Sequence, residues 1–210
     1  MRAFVINLKS RPDRYKQIKK IFEDSPIQIS RIDAVNSKLP HYGLLKSFIK
    51  ALRKARSMKL PNILILEDDC LPTSGWRKRW VSICKWLEDN PDKWEIYSGG
   101  NSYIWFPQEI DEIDNIKLYS SMYNLAAHWI YVPRRSYDKI IEYYSFIANM
   151  PSILQFIPVD HINNTLQMVI SHPFMAYQRS DYSNITRKYR NRKKIFLNAE
   201  KSLRKTRRSR

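Results

Sequence analysis

The chain has 210 residues, 43% hydrophobic and 13% aromatic, which predicts one folded domain with a sizeable core. With only 4 glycines and no glycine-rich phosphate-binding pattern, the composition argues against P-loop and dinucleotide-binding proteins. The 2 cysteines form neither a disulfide framework nor a zinc-ligand spacing and suit a reducing compartment. No apolar run reaches the roughly 18 residues of a membrane span, so we expect a cytoplasmic protein.

The net charge of +17 is concentrated near the C-terminus. Residues 187–210 hold 12 Lys and Arg against a single acid, Glu200. We therefore predict a folded domain over residues 1–186 and a basic tail over residues 187–210, dispensable for any chemistry. Such a tail can contact anionic membrane surfaces or nucleic acid, or it can simply be a solvated terminus.

The first part of the chain alternates predicted strands and helices. Residues 4–8 and 27–32 have the apolar patterns of strands. A helix with a capping-box spacing at Ser10 and Asp13 lies between them, and apolar residues over 44–52 predict a second helix. With the strand described next, the order is β-α-β-α-β, which predicts a mainly parallel sheet with helices on both faces.

The most informative segment spans residues 61–72, where four apolar residues run directly into Glu67, Asp68 and Asp69. This pattern predicts a strand buried on both faces, with three carboxylates at the end where α/β sheets bind ligands. Alternation along the strand would place Glu67 and Asp69 on one side, where they could share Mg²⁺ or Mn²⁺. The alternative is a solvated acidic turn.

The second half continues with an irregular segment over residues 101–121. Predicted helices begin near Gly75, Ser136 and Pro158, and predicted strands cover residues 94–97, 126–132 and 174–178.

Several ordered landmarks resemble the family 25 glycosyltransferases, the lipooligosaccharide and procollagen sugar transferases with a GT-A fold. They span residues 3–186 and include Val5-Ile6-Asn7-Leu8, Asp33-Ala34-Val35-Asn36, Gly43-Leu44-Leu45-Lys46-Ser47, the acidic strand, Ala127-His128-Trp129, Pro158-Val159-Asp160 and Ser183-Asn184-Ile185. Phe48 stands where the family tends to have His, and Asn36 where Asp is common.

The resemblance implies a GT-A-like α/β domain that transfers a hexose from a nucleotide sugar, with UDP as the expected nucleotide. The acceptor would be a glycan, a lipid-linked sugar or a protein, and the transfer would invert the anomeric centre. It also implies that Asp69, with Glu67, holds Mn²⁺ or Mg²⁺ in a DXD-like motif, while Asp68 binds the donor. The cation would neutralise the diphosphate leaving group.

Four further residues near the first two strand ends are donor-binding candidates: Asn7, Arg11, Arg14 and Asp33. Guanidinium groups after the first strand can contact base, ribose or phosphate, although both arginines could equally lie on a solvated helix face. Asp33 could instead cap the following turn.

Inverting transfer requires a general base, and Asp160 is the candidate, since Pro158-Val159-Asp160 places a carboxylate at a predicted helix start. Its alternative role is an ordinary N-cap. We expect His128, with its apolar neighbours, to be a core histidine. His172, before Pro173, is a weak candidate for the metal shell.

Three other classes remain open to different degrees. A receiver-type signalling domain is disfavoured because the acidic strand lies about 60 residues into the chain and the strand at residues 94–97 ends without an acid. A nucleic-acid-binding protein or metal-dependent nuclease would need its basic surface on the folded body. A transferase-like binding module without catalysis is also compatible with the sequence.

Overall fold

The computed structural model describes residues 1–121, 123–150, 165–180, 182–183, 188–189 and 191–203. The first part of the chain is β1 (Arg2–Asn7), α1 (Pro12–Phe22), β2 (Gln28–Asp33), α2 (Pro40–Ser57), β3 (Asn62–Glu67), β4 (Cys70–Pro72) and α3 (Trp76–Asp89). The predicted β-α-β-α-β order is confirmed. The predicted capping box is not: Arg11 occupies the N-cap position of α1 and makes no side-chain capping bond.

The second part alternates short strands with two helices. It consists of β5 (Ile96–Ser98), β6 (Tyr103–Trp105), β7 (Gln108–Ile113), β8 (Ile116–Ser120), β9 (Tyr123–Leu125), β10 (Trp129–Pro133), α4 (Tyr137–Ala148), β11 (Met168–His172), β12 (Ala176–Gln178), β13 (Tyr182–Ser183), β14 (Lys188–Tyr189) and α5 (Arg192–Leu203). The predicted irregularity of residues 101–121 is wrong, because β7 and β8 form a hairpin. Its two turn residues, Asp114 and Asn115, have φ of 47° and 62°, as a tight hairpin turn requires.

Eight strands form the central sheet in the order β2-β1-β3-β10-β5-β11-β8-β7. Only the pairings β1–β2, β1–β3 and β5–β11 are parallel, and the other four are antiparallel. The prediction of a mainly parallel sheet is therefore wrong, and the sheet is mixed. The reason is that β10 returns between β3 and β5 in the opposite direction, while the β7–β8 hairpin extends the far edge.

Helices cover both faces of the sheet, as predicted. Alternate residues of β1 point to opposite faces: Ala3 and Val5 pack with α1 and α3, whereas Phe4 and Ile6 pack with α2 and α4. Residues 63–66 of β3 are completely buried, so the prediction of a strand covered on both faces is confirmed. No helix in the described ranges is both long enough and apolar enough to cross a membrane.

Part of the predicted basic tail is folded against the domain. Its residues 192–203 form α5, and Phe196, Ala199 and Leu203 on this helix belong to the same core cluster as α2 and α4. The helix is also attached by Glu200, which accepts hydrogen bonds from the Phe174 amide and the Tyr177 hydroxyl, each at 2.7 Å. The apolar face of this helix packs into the core, whereas the dispensability of residues 187–210 for the chemistry stays a prediction.

Candidate functional site

The strand order creates a crevice at the carboxyl ends of β1 and β3. The chain leaves β1 for β2 on one side and then crosses to β3 on the other side, so the order reverses between β1 and β3. Open α/β sheets bind ligands at such a reversal. Asn7 pairs with Asp33 and Ile6 pairs with Glu67 in the sheet register, which puts the candidates Asn7, Asp33 and Glu67 on this one edge.

Asp68 is held from two sides at this edge. The Asn7 side-chain amide donates to Asp68 Oδ2 at 2.7 Å, and Arg14 Nη1 donates to Asp68 Oδ1 at 3.2 Å. The Arg14 and Asp68 side chains are only 10% and 13% exposed, so solvent screens their attraction weakly. Three predicted site residues from β1, α1 and the end of β3 are thereby brought together, and Asp68 is oriented before any ligand arrives.

Asp69 has a buried carboxyl group with a perturbed pKa. Its Oδ1 atom is buried and has no hydrogen-bond partner among the residues that the structure describes. Burial raises the pKa of Asp69 to about 6, and the neighbouring Asp68 charge adds to this effect, while Arg14 and Arg192 oppose it. Ionised Asp69 is therefore poorly compensated by the protein alone, and a cation or a hydrogen-bond donor of a ligand would stabilise it.

Glu67 is the last residue of β3, and its amide donates to the His128 carbonyl at 3.2 Å. Because Asp68 and Asp69 lie in the turn between β3 and β4, strand alternation does not extend to them. The prediction that strand alternation places Glu67 and Asp69 on one side is therefore wrong, because Asp69 is not part of the strand. No group of three or more His, Cys, Asp or Glu side chains is placed to hold a metal ion within the described residues.

The remaining donor-binding candidates have other contacts. Arg11 forms a two-pronged contact with Asp13, its Nε and Nη2 atoms lying 3.2 and 3.1 Å from the two carboxylate oxygens. The carboxylate of Asp33 pairs with Arg31 at 3.1 Å and Lys9 at 3.5 Å. Neither side chain joins the Asp68 contacts described above, so their donor-binding roles stay predictions.

The predicted general base, Asp160, lies outside the described residues, and its role stays a prediction. His128 is completely buried, with Nε2 3.1 Å from the Ala176 carbonyl, and burial lowers its pKa to about 4. It is therefore a neutral core histidine, as expected. The Nδ1 atom of His172 lies 3.5 Å from Glu200 Oε1, so this imidazole faces the C-terminal helix.

Sequence reasoning missed the residues that α5 brings to this edge. Arg192 Nη1 donates to Gln178 Oε1 at 2.9 Å, and Gln178 pairs in the β4–β12 ladder with Cys70, directly after Asp69. The helical spacing of Phe196, Ala199 and Leu203 is the sequence signal for this helix, but the many basic residues around it favour a solvated segment.

Comparison with known proteins adds little to this geometry. No protein-family model matches the chain, and no curated protein matches it. Solved structures are similar to it, among them the following two. A197 from STIV is 12% identical, with a TM-score of 0.48 over 89% of this chain and 91% of that chain. A structure titled mannose-1-phosphate geranyltransferase, from Thermus thermophilus, is 6% identical, with a TM-score of 0.41 over 80% of this chain and 57% of that chain. Neither similarity is strong enough to support an inference about function.

Proposed function

We propose that this protein is a glycosyltransferase of the family 25 type, with a GT-A-like domain that binds a UDP-sugar in the crevice beside β1 and β3. It transfers a hexose to a glycan, a lipid-linked sugar or a protein, with inversion and with the help of Mn²⁺ or Mg²⁺. The main support is the acidic turn at the reversal of strand order, where Asp68 is clamped by Asn7 and Arg14 while Asp69 has a buried, partnerless oxygen.

The donor set of this turn fits a divalent cation. Mg²⁺ in nucleotide sites is commonly held by one or two carboxylates, with phosphate oxygens and waters supplying the other ligands. Asp69 and Glu67 are the two carboxylates that would hold it, and the partnerless Asp69 oxygen is the strongest indication. The cation, when bound, neutralises charge on the departing diphosphate.

The protein's own groups have separate tasks in this proposal. Asn7 and Arg14 orient Asp68, and its fixed position constrains the turn that carries Asp69. Asp68 and Asp33 accept hydrogen bonds from the nucleoside, and Arg11 contacts the nucleoside or its phosphates. Asp160 removes the proton from the acceptor hydroxyl as that oxygen bonds to the sugar and the bond to the diphosphate breaks.

Binding measurements test the proposal directly. A thermal-shift panel of UDP-, GDP-, CMP- and dTDP-sugars, with and without Mn²⁺, should show stabilisation by a UDP-sugar that depends on the metal. In calorimetry, Asp69→Ala should abolish the metal-dependent part of nucleotide binding. Asp89→Ala, which removes an exposed carboxylate at the end of α3, is the matched control.

Loss of binding in Asp69→Ala would not be explained by unfolding, because removal of a carboxylate with a raised pKa relieves a destabilising charge at neutral pH. Unchanged nucleotide affinity in folded Asp69→Ala would overturn the assignment. Hydrolysis of the bound sugar separates a transferase from an inactive binding module of the same fold.

A further inference from the structure

The C-terminal helix begins next to the acidic turn. Strand β12 pairs with β4, which follows Asp69, and the Arg179 amide donates to the Asp69 carbonyl at 2.8 Å. Gln178 on β12 is only 7% exposed, and its side-chain oxygen accepts the hydrogen bond from Arg192. The first residue of α5 is therefore fixed at the edge of the proposed site by a buried amide.

The cationic group at this position is available to a ligand. Within the described part of the chain, Arg192 forms no ion pair with a carboxylate, and its contact with Gln178 uses one of five guanidinium N–H donors. Its position beside the acidic turn follows from the β4–β12 ladder, because its partner Gln178 pairs with Cys70, the residue after Asp69.

A buried polar side chain also lies against β12. Asn101 is completely buried, and within the described ranges neither its amide nitrogen nor its amide oxygen has a hydrogen-bond partner. It follows Gly100, where an added Cβ would lie 2.2 Å from the carbonyl oxygen of Ala176, so this backbone runs directly against β12. Buried polar atoms are normally hydrogen-bonded, so the Asn101 amide is an exception beside the strand that carries Gln178.

We propose that Arg192, held in place by Gln178, binds a phosphate group of the ligand beside Asp69, so that α5 is part of the binding site. A guanidinium offers parallel N–H donors that match two phosphate oxygens. The identification of that phosphate as part of a nucleoside diphosphate rests on the proposed function, whereas recognition of a phosphate group by Arg192 does not.

Calorimetry with three probes, each in the presence of Mn²⁺, tests this role: inorganic pyrophosphate, UDP and uridine. Arg192→Gln removes the charge and keeps a donor for Gln178, while Lys194→Gln removes an exposed charge from the same helix. Arg192→Gln should weaken binding of pyrophosphate and UDP by about 10- to 100-fold and leave uridine binding unchanged. Lys194→Gln should leave all three affinities close to those of the wild type.

If Arg192→Gln binds pyrophosphate and UDP as tightly as Lys194→Gln does, Arg192 has no role in phosphate binding. The proposed function is tested separately by the Asp69→Ala variant. If pyrophosphate binding depends on Arg192 but UDP binds no more tightly than pyrophosphate, the phosphate-binding role of Arg192 is supported and the proposed UDP-sugar donor is refuted. If Arg192→Gln does not fold, Arg192→Lys replaces it. That variant keeps the charge without the planar fork, so unchanged pyrophosphate affinity in it would contradict the proposal.

Discussion

Replacing Phe196 with Ala tests whether the C-terminal helix belongs to the folded domain. The Phe196 ring is completely buried, with its centroid 4.9 Å from the His128 ring and 6.0 Å from the Tyr177 ring. Truncation of a buried Phe typically costs about 3–5 kcal/mol, because apolar burial is lost and a cavity remains. In a domain of this size, that corresponds to a fall in melting temperature of about 6–20 °C.

Urea and thermal unfolding of the purified variant measure this cost. Ile195→Ala and Leu197→Ala are matched controls, because these neighbours are 37% and 36% exposed and should cost about 1 kcal/mol or less. Truncation before Arg192 should destabilise the domain further, since it also removes Glu200 from the Phe174 amide and the Tyr177 hydroxyl. A Phe196→Ala variant as stable as its controls would refute the docked helix and restore the prediction of a solvated tail.

Two further predictions concern catalysis and pH. Asp160→Asn should reduce turnover by about 10²–10⁴-fold if Asp160 is the general base, whereas loss of a simple N-cap would cost about 1 kcal/mol of stability and leave turnover nearly normal. His128 has a pKa lowered by burial to about 4, so its contribution to stability is complete above the unfolded-state pKa near 6.5 and is lost as the pH falls towards 4. The stability difference between wild type and His128→Gln, measured by urea unfolding, should shrink by about 3 kcal/mol between pH 7.5 and pH 4. The comparison with His128→Gln is needed because the raised pKa of Asp69 makes the protein more stable, not less, as the pH falls through the same range. A difference in unfolding free energy that does not change with pH would contradict a neutral, buried His128 imidazole.

Local sequence was sufficient for the elements around the acidic turn. Four consecutive apolar residues predict a strand covered on both faces, and residues 63–66 are buried in that way. The apolar spacing of α1 and α2 likewise predicts their buried faces, because helical periodicity is a property of neighbouring residues. The position of Asn7 at a strand end, next to the acidic segment, follows from the β-α-β-α-β order.

The direction of β10, the attachment of α5 and the contacts of Asp68 were decided only by tertiary structure. Asp68 is 61 residues from Asn7 and 54 residues from Arg14 in sequence, so no local pattern shows that these side chains meet. The attachment of α5 is also invisible in the local sequence. Its high charge indicates a solvated segment, and only the tertiary structure shows the apolar surface that covers Phe196. A short pattern determines which faces of an element are apolar. Contacts between distant parts of the chain decide which element covers each face and which charged side chain lies beside each carboxylate.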